Sequence, residues 1–100
     1  MNIFFIDGNL TDDPKGFENR CTFSIAHNYT VKEEKKVVYY NCVCFNEILI
    51  KNIIRDLKKG DKVFVKGMLR DNDYEGKKYW NIIVDYYAIR YKKNKEDLPF

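Results

Sequence analysis

One helical segment interrupts a chain that otherwise alternates with the two-residue period of β-strands. The segment is "EILIKNIIRDLKKG" (47–60), in which apolar residues recur at i, i+3, i+4 and i+7, the spacing of one stripe of a helix. These residues are Ile50, Ile53, Ile54 and Leu57. Gly60 is a natural residue to end such a helix. The pattern predicts a helix over 47–60 with one apolar face.

Extended segments lie on both sides of this helix, three before it and two after it. They read "NIFFIDGNL" (2–10), "RCTFSIAHNYT" (20–30), "VVYYNCVCF" (37–45), "DKVFVKGMLR" (61–70) and "YWNIIVDYYAIR" (79–90). The connections between them are polar and turn-like: "TDDPKG" (11–16), "KEEKK" (32–36) and "DNDYEGKK" (71–78). The pattern therefore predicts five strands, with the helix between the third and the fourth.

This order of elements selects one architecture. Five strands and one helix in about ninety residues fit a small all-β barrel whose helix closes one end, the five-stranded OB fold. A ferredoxin-like sandwich needs a helix after the first strand, and "TDDPKGFEN" is too short and too broken to form one. We expect one OB-fold domain over 1–90 and a short C-terminal tail over 91–100.

Composition excludes several other classes of protein. No apolar run approaches the ~20 residues of a membrane span, and "NIFFI" lacks the flanks of a signal peptide. Three cysteines without a CxxC pair or a histidine cluster indicate reduced, structural thiols rather than a zinc site. No nucleophile elbow, phosphate loop or Cys–His motif is present. We therefore expect neither an enzyme nor a bound metal or cofactor.

Four motifs in order resemble one family. They are "GNLTDDP" after the first apolar run, "FSIAHN" on the second strand, "YYNCVCF" on the third, and "LKKGDKVFVKGMLR" around the fourth. This order is similar to that of the bacterial-type single-stranded-DNA-binding proteins, over about residues 2–90. The resemblance implies an OB-fold protein that coats single-stranded DNA without strong sequence preference.

The resemblance also implies which side chains contact DNA. Tyr39 and Phe45 match positions where the family stacks bases, and Tyr74, near the tip of the last hairpin, matches another. Tyr29 is the nearest aromatic residue to a further stacking position. Alternation along the third strand places Asn41 between Tyr39 and Phe45, where it can hydrogen-bond a base edge or a phosphate.

Cations that could follow the phosphates are predicted from alternation along the fourth strand. Val63, Val65 and Leu69 read as core, which turns Lys66 and Arg70 outward. Lys62 and Arg20 are weaker candidates of the same kind.

The last residues, "DLPF" (97–100), resemble the tip with which this family docks on replication, repair and recombination proteins. By that resemblance Asp97, Leu98, Pro99 and Phe100 form a protein-interaction tip, with the Phe100 ring filling an apolar pocket of the partner. A proline stiffens the segment and lowers the cost of ordering it. The tail carries more lysine than acidic residues, unlike the acidic tail usual in the family.

The resemblance further implies a homo-oligomer, dimer or tetramer, because an apolar edge such as "IFFI" invites pairing with a second copy. It also implies a cytoplasmic, nucleoid-associated protein. Two alternatives remain open from the sequence. One is an accessory OB-fold protein of a primosome or a phage, acting mainly through protein contacts. The other is an RNA-binding OB-fold protein.

Overall fold

A computed structural model describes residues 1–93 of the chain. Its elements, in chain order, are β1 (Phe4–Leu10), β2 (Lys15–Gly16), β3 (Cys21–Val31), β4 (Glu34–Cys44), α1 (Glu47–Asp56), β5 (Lys62–Tyr74) and β6 (Lys77–Tyr91). The five long strands correspond to the five predicted ones, and α1 lies between the third and fourth of these. The two-residue strand β2 was not predicted, because it lies inside a segment that reads as a turn.

The strands close into a barrel. Their order in the sheet is β1-β5-β6-β4-β3-β2, and β1 also pairs with β3. The β4–β6 pairing is parallel and the others are antiparallel. Gly8 permits the closure, because a Cβ atom there would collide with Ile25 Cγ2 and the Ala26 carbonyl of β3. This mixed, five-stranded closed barrel with its helix is the predicted OB fold.

The barrel is filled from every long strand and from the helix. The buried core side chains are Leu10, Cys21, Phe23, Ile25, Cys42, Cys44, Ile53, Leu57, Val63, Val65, Ile82 and Val84. The helix packs on this core through Ile53, and Leu57, directly after its last residue, is buried there too. Ile50 packs against the core as predicted, but Ile54, the fourth residue of the predicted stripe, is 37% exposed. All three cysteines are buried free thiols. Burial raises the pKa of Cys21 to about 11 and that of Cys42 to about 12, so both thiols are held neutral.

Two of the sequence motifs meet at one end of the barrel. The Leu10 N–H donates to the Asp61 carbonyl at 2.9 Å, and the Gly60 N–H donates to the Leu10 carbonyl at 2.9 Å. Asn9 Nδ2 donates to the Gly60 carbonyl at 3.1 Å. "GNL" therefore fixes the loop that carries "KKGD" onto the end of β1, which gives both motifs a structural role.

Asp61 holds the end of β6 against this same loop. Its buried carboxylate accepts hydrogen bonds from Lys92 Nζ at 2.6 Å, from the Lys93 N–H at 3.1 Å and from the Lys58 N–H at 2.9 Å. Burial alone would raise the pKa of Asp61, but these donors lower it below its ordinary value. Lys92 and Lys93, which the sequence assigned to the tail, are thus tied to the barrel.

Three predicted boundaries were wrong in detail. The helix ends at Asp56, because Leu57 takes an extended backbone (φ −94°, ψ 135°), and Gly60 lies farther on, in the turn before β5. The predicted loop 32–36 contracts to the turn Lys32–Glu33, and the loop 71–78 to the turn Glu75–Gly76. All four turn residues have positive φ, the geometry of a tight hairpin turn. Both hairpins therefore reach farther beyond the barrel than predicted.

Within residues 1–93, no helix is long and apolar enough to cross a membrane.

Candidate nucleic-acid interface

One face of β4 presents the first two predicted stacking residues to solvent. Tyr40, Cys42 and Cys44 point into the barrel, whereas Tyr39, Asn41 and Val43 point outward along the strand. Tyr39 is 64% exposed, and Phe45, directly after the strand, is also exposed. The predicted alternation is correct, and it leaves two aromatic rings open to a ligand on one face.

A row of polar residues crosses the sheet at the level of Asn41. Ser24 of β3 pairs with Asn41, Asn41 pairs with Asn81 of β6, and Asn81 pairs with Arg70 of β5. Ser24 Oγ donates a hydrogen bond to Asn41 Oδ1 at 3.1 Å, which leaves the Asn41 NH₂ group available as a donor. The row crosses β4 between the two exposed aromatic rings. It offers hydrogen-bond donors there and, two strands away on β5, the guanidinium of Arg70.

Two grooves meet at Asn41. One, of about 300 Å³, is lined by Phe4, Tyr39, Tyr40, Asn41, Leu69, Trp80 and Ile82. The other, of about 410 Å³, is lined by Thr11, Asp12, Asp13, Lys15, Thr22, Phe23, Ser24, Asn41, Cys42, Val43 and Asn81. Asn41 lines both, so the two grooves adjoin at this residue.

Trp80 lines one of these grooves, and sequence reasoning missed it. The sequence left open which of Tyr79 and Trp80 is buried, and in the structure both are exposed, Trp80 by 54%. Trp80 is on the core-facing side of β6, two residues before Ile82, but it lies where β5 and β6 extend past the barrel. It lines the same groove as Tyr39. Its exposure could have been found only by knowing how far the hairpin extends.

The other two predicted stacking residues lie on hairpins away from Asn41. Tyr74 is exposed at the end of β5, next to the Glu75–Gly76 turn. Tyr29 is near the end of β3, where its ring stacks on His27 with centroids 6.3 Å apart and planes 17° apart. Tyr29 lines a separate surface groove with Asn28, Thr30, Lys35 and Lys36. Their role in binding stays a prediction.

The four predicted cations differ in their surroundings. Arg70 is exposed and belongs to the polar row, where it forms none of the ion pairs found among residues 1–93. Lys66 Nζ is paired with Asp85 at 2.8 Å, which offsets its charge. Lys62 is exposed at the start of β5, opposite Asn9. Arg20 lies over the ring of Phe17, its Cζ 4.6 Å from the ring centroid.

The predicted tip, Asp97, Leu98, Pro99 and Phe100, lies outside the described residues. Within residues 1–93, no group of three or more His, Cys, Asp or Glu side chains is placed to hold a metal ion.

Comparison with known proteins places this surface in context. The model of the single-strand binding protein family matches residues 1–86. A solved structure described as the Plasmodium falciparum SSB complex with ssDNA has a TM-score of 0.75 and 22% sequence identity, covering 92% of this chain and 95% of that one. None of the curated protein sequences matches significantly. Since the family model covers every element that forms the barrel except the end of β6, the chain belongs to the single-strand binding protein family.

Proposed function

We propose that this protein binds single-stranded DNA without strong sequence preference, by stacking bases on exposed aromatic rings and by contacting phosphates with cations. The main observation behind the proposal is that Tyr39 and Trp80 are exposed on one groove, and that Asn41 lines both this groove and a second one. Membership of the single-strand binding protein family and the likeness to an SSB complex with ssDNA support it.

The chemistry of the face favours a single strand over a duplex. Every base has a π-face, so stacking on Tyr39, Phe45, Trp80 and, on the hairpin arms, Tyr74 and Tyr29 tolerates any sequence, with each stacked base contributing on the order of 1–3 kcal/mol. A duplex keeps its bases stacked on each other and offers none of them to these rings. Asn41, Arg70 and, more weakly, Lys62, Lys66 and Arg20 supply the polar and phosphate contacts.

We further propose that the protein protects single strands during replication, recombination and repair, in the cytoplasm at the nucleoid. Binding and release are the whole of this activity, which needs neither a catalytic group nor a cofactor. The OB-fold domain of residues 1–90 would carry DNA binding. The DLPF segment within 91–100 would contact genome-maintenance proteins, a role that rests on the resemblance of that segment to the family's tip.

Assembly with a second copy of the chain is part of the proposal. β1 pairs with β5 from Phe4 to Asn9 but with β3 only at Asn9 and Leu10, so the edge of β1 before Asn9 has no ladder partner among the described residues. Exposed Phe5 lies on this stretch. An apolar strand edge of this kind favours pairing with another chain. Sedimentation of wild type and of Phe5→Lys tests it, with a dimer or tetramer for the first and a shift to monomer for the second.

The direct test of function is fluorescence anisotropy of labelled oligo-dT titrated with the protein at two salt concentrations. Duplex DNA and an RNA of matched sequence serve as competitors. Salt-sensitive binding that neither competitor displaces supports the proposal. Equal competition by RNA would instead identify an RNA-binding OB protein. If no binding occurs at low salt, the proposal fails, and an accessory protein acting through protein contacts becomes the better account. Deleting Phe100 should then abolish its function.

A further inference from the structure

An aromatic residue and an arginine face each other at the turn between β2 and β3. Phe17 is 50% exposed, and the Arg20 guanidinium carbon lies 4.6 Å from the centre of its ring. The Phe17 N–H donates to the Arg20 carbonyl at 2.8 Å, so the two residues are also joined through the backbone. Sequence reasoning did not select Phe17, because it follows a segment that reads only as a turn.

The strand register places this pair on the same face as the two grooves. Lys15 pairs with Thr22 and Gly16 with Cys21, so the next facing pair is Phe17 with Arg20. Side chains alternate along a strand, so this pair points to the same side as Lys15 and Thr22. Those two residues line the larger groove.

Phe45, directly after β4, also lies near the start of β3. Cys44 pairs with Cys21, and both are buried in the barrel. The residues next to them, Phe45 and Arg20, therefore lie on the opposite, outward side. Continued by one residue beyond β3 and β4, this register sets Phe45 opposite Arg20, on the side of Arg20 away from Phe17.

The charge of Arg20 is available to a ligand. None of the ion pairs among residues 1–93 includes Arg20, and Glu18 in the same turn is not paired with it. The contact with the Phe17 ring orders both side chains in advance, which lowers the cost of ordering them on binding. A guanidinium plane and a half-exposed ring together can stack a base and hold a phosphate.

We propose that Phe17 and Arg20 form an additional nucleotide subsite, which extends the DNA path from the larger groove over the β2–β3 turn. This inference rests on the proposed function. It adds the prediction that affinity depends on whether the DNA is long enough to reach the turn. DNA long enough to reach the turn gains a stacked base and a phosphate contact, whereas DNA confined to the neighbourhood of Asn41 does not.

The test compares wild type with Phe17→Ala, Phe17→Leu and Arg20→Gln on oligo-dT of increasing length, from about 4 to about 16 nucleotides, the range of site sizes for one OB fold. We expect equal affinities on the shortest DNA that binds. On the longest, both Phe17 variants should bind about tenfold more weakly, the loss of one stacked base. Arg20→Gln should lower the log–log salt slope by about 0.7, one phosphate contact.

Phe17→Leu separates stacking from packing, because it keeps an apolar side chain in the turn but has no aromatic face. Wild-type affinity of Phe17→Leu at every length would overturn the subsite while leaving the proposed function intact. Ile48→Ala is the control, since Ile48 is 71% exposed on α1 and lines neither groove. If wild type itself binds no oligo-dT, the proposed function fails and this subsite fails with it.

Discussion

Tyr39 on β4 and Trp80 on β6 line the same groove, although they are far apart in the chain. The parallel pairing of these two strands at Asn41 and Asn81 brings them together. The closure of the barrel thus brings aromatic residues from separate hairpins to one groove.

Removing the exposed rings of β4 should weaken DNA binding without unfolding the protein. Tyr39→Ala and Phe45→Ala should each lose on the order of 1–3 kcal/mol of binding free energy, because each removes a stacking surface. Tyr86→Ala is the matched control for Tyr39→Ala, since Tyr86 is an exposed tyrosine that contacts Phe64 and, unlike Tyr39, lines neither groove. Anisotropy with labelled oligo-dT measures all three. An equal loss in the Tyr86 variant would contradict a role for this particular face.

Arg70 and Lys66 should differ in their effect on salt dependence. Arg70→Gln should lower the log–log salt slope by about 0.7, because it removes a phosphate contact. Lys66→Gln should lower it less, because Asp85 already pairs with the Lys66 ammonium at 2.8 Å. Binding isotherms at several salt concentrations give both slopes. A larger change for Lys66 than for Arg70 would mean that the phosphates pass closer to the Lys66 end of this face of β5 than to the polar row at Arg70.

Asp61 should stabilise the fold at neutral pH. Asp61→Ala leaves the N–H groups of Lys58 and Lys93 without their acceptor, which we expect to cost about 2–3 kcal/mol of unfolding free energy. Urea unfolding at pH 7 measures this. Asp85→Asn is the control and should change stability by less than about 1 kcal/mol, as for an exposed ion pair.

The same carboxylate should contribute to acid sensitivity. The pKa of Asp61 is lower in the folded protein than its ordinary value, so the unfolded state binds the proton first as the pH falls. Asp61 stabilises the fold fully above about pH 4, the ordinary pKa range for aspartate. This stabilisation is lost as the pH falls through the lower pKa that Asp61 has in the folded protein. Asp61→Asn should therefore narrow the difference in stability between pH 7 and pH 3. An unchanged difference would show that other groups govern acid unfolding.

Periodicity was sufficient to predict most of the fold. The helical stripe and the alternation in β4 and β5 depend on neighbours in the chain, so they could be read directly. Core positions such as Ile53, Val63 and Val65 followed from the same patterns. The hairpin arms and β2 could not be read, because polar turn-forming residues also occur in exposed strands.

The candidate site was less accessible to sequence reasoning. Tyr39 and Asn41 followed from alternation and resemblance together. Trp80 is exposed to a ligand because β6 extends past the barrel at that point. Phe17 lies beside Arg20 because the two-residue strand β2 pairs with β3. The ion pair of Lys66 with Asp85 joins neighbouring strands in a register that includes a bulge. None of these relationships has a local signature in the sequence.

The most direct measurement uses Trp80, the single tryptophan of the sequence, as a reporter within the proposed site. Unlabelled oligo-dT is titrated into the protein while tryptophan fluorescence is recorded, with duplex DNA of equal length in a parallel titration. DNA binding in this groove should give saturable quenching by oligo-dT, reversal by added salt, weaker binding in the Tyr39→Ala variant and little response to duplex. If labelled oligo-dT binds while the fluorescence of Trp80 stays constant, DNA contacts a different surface and the account of this groove is wrong.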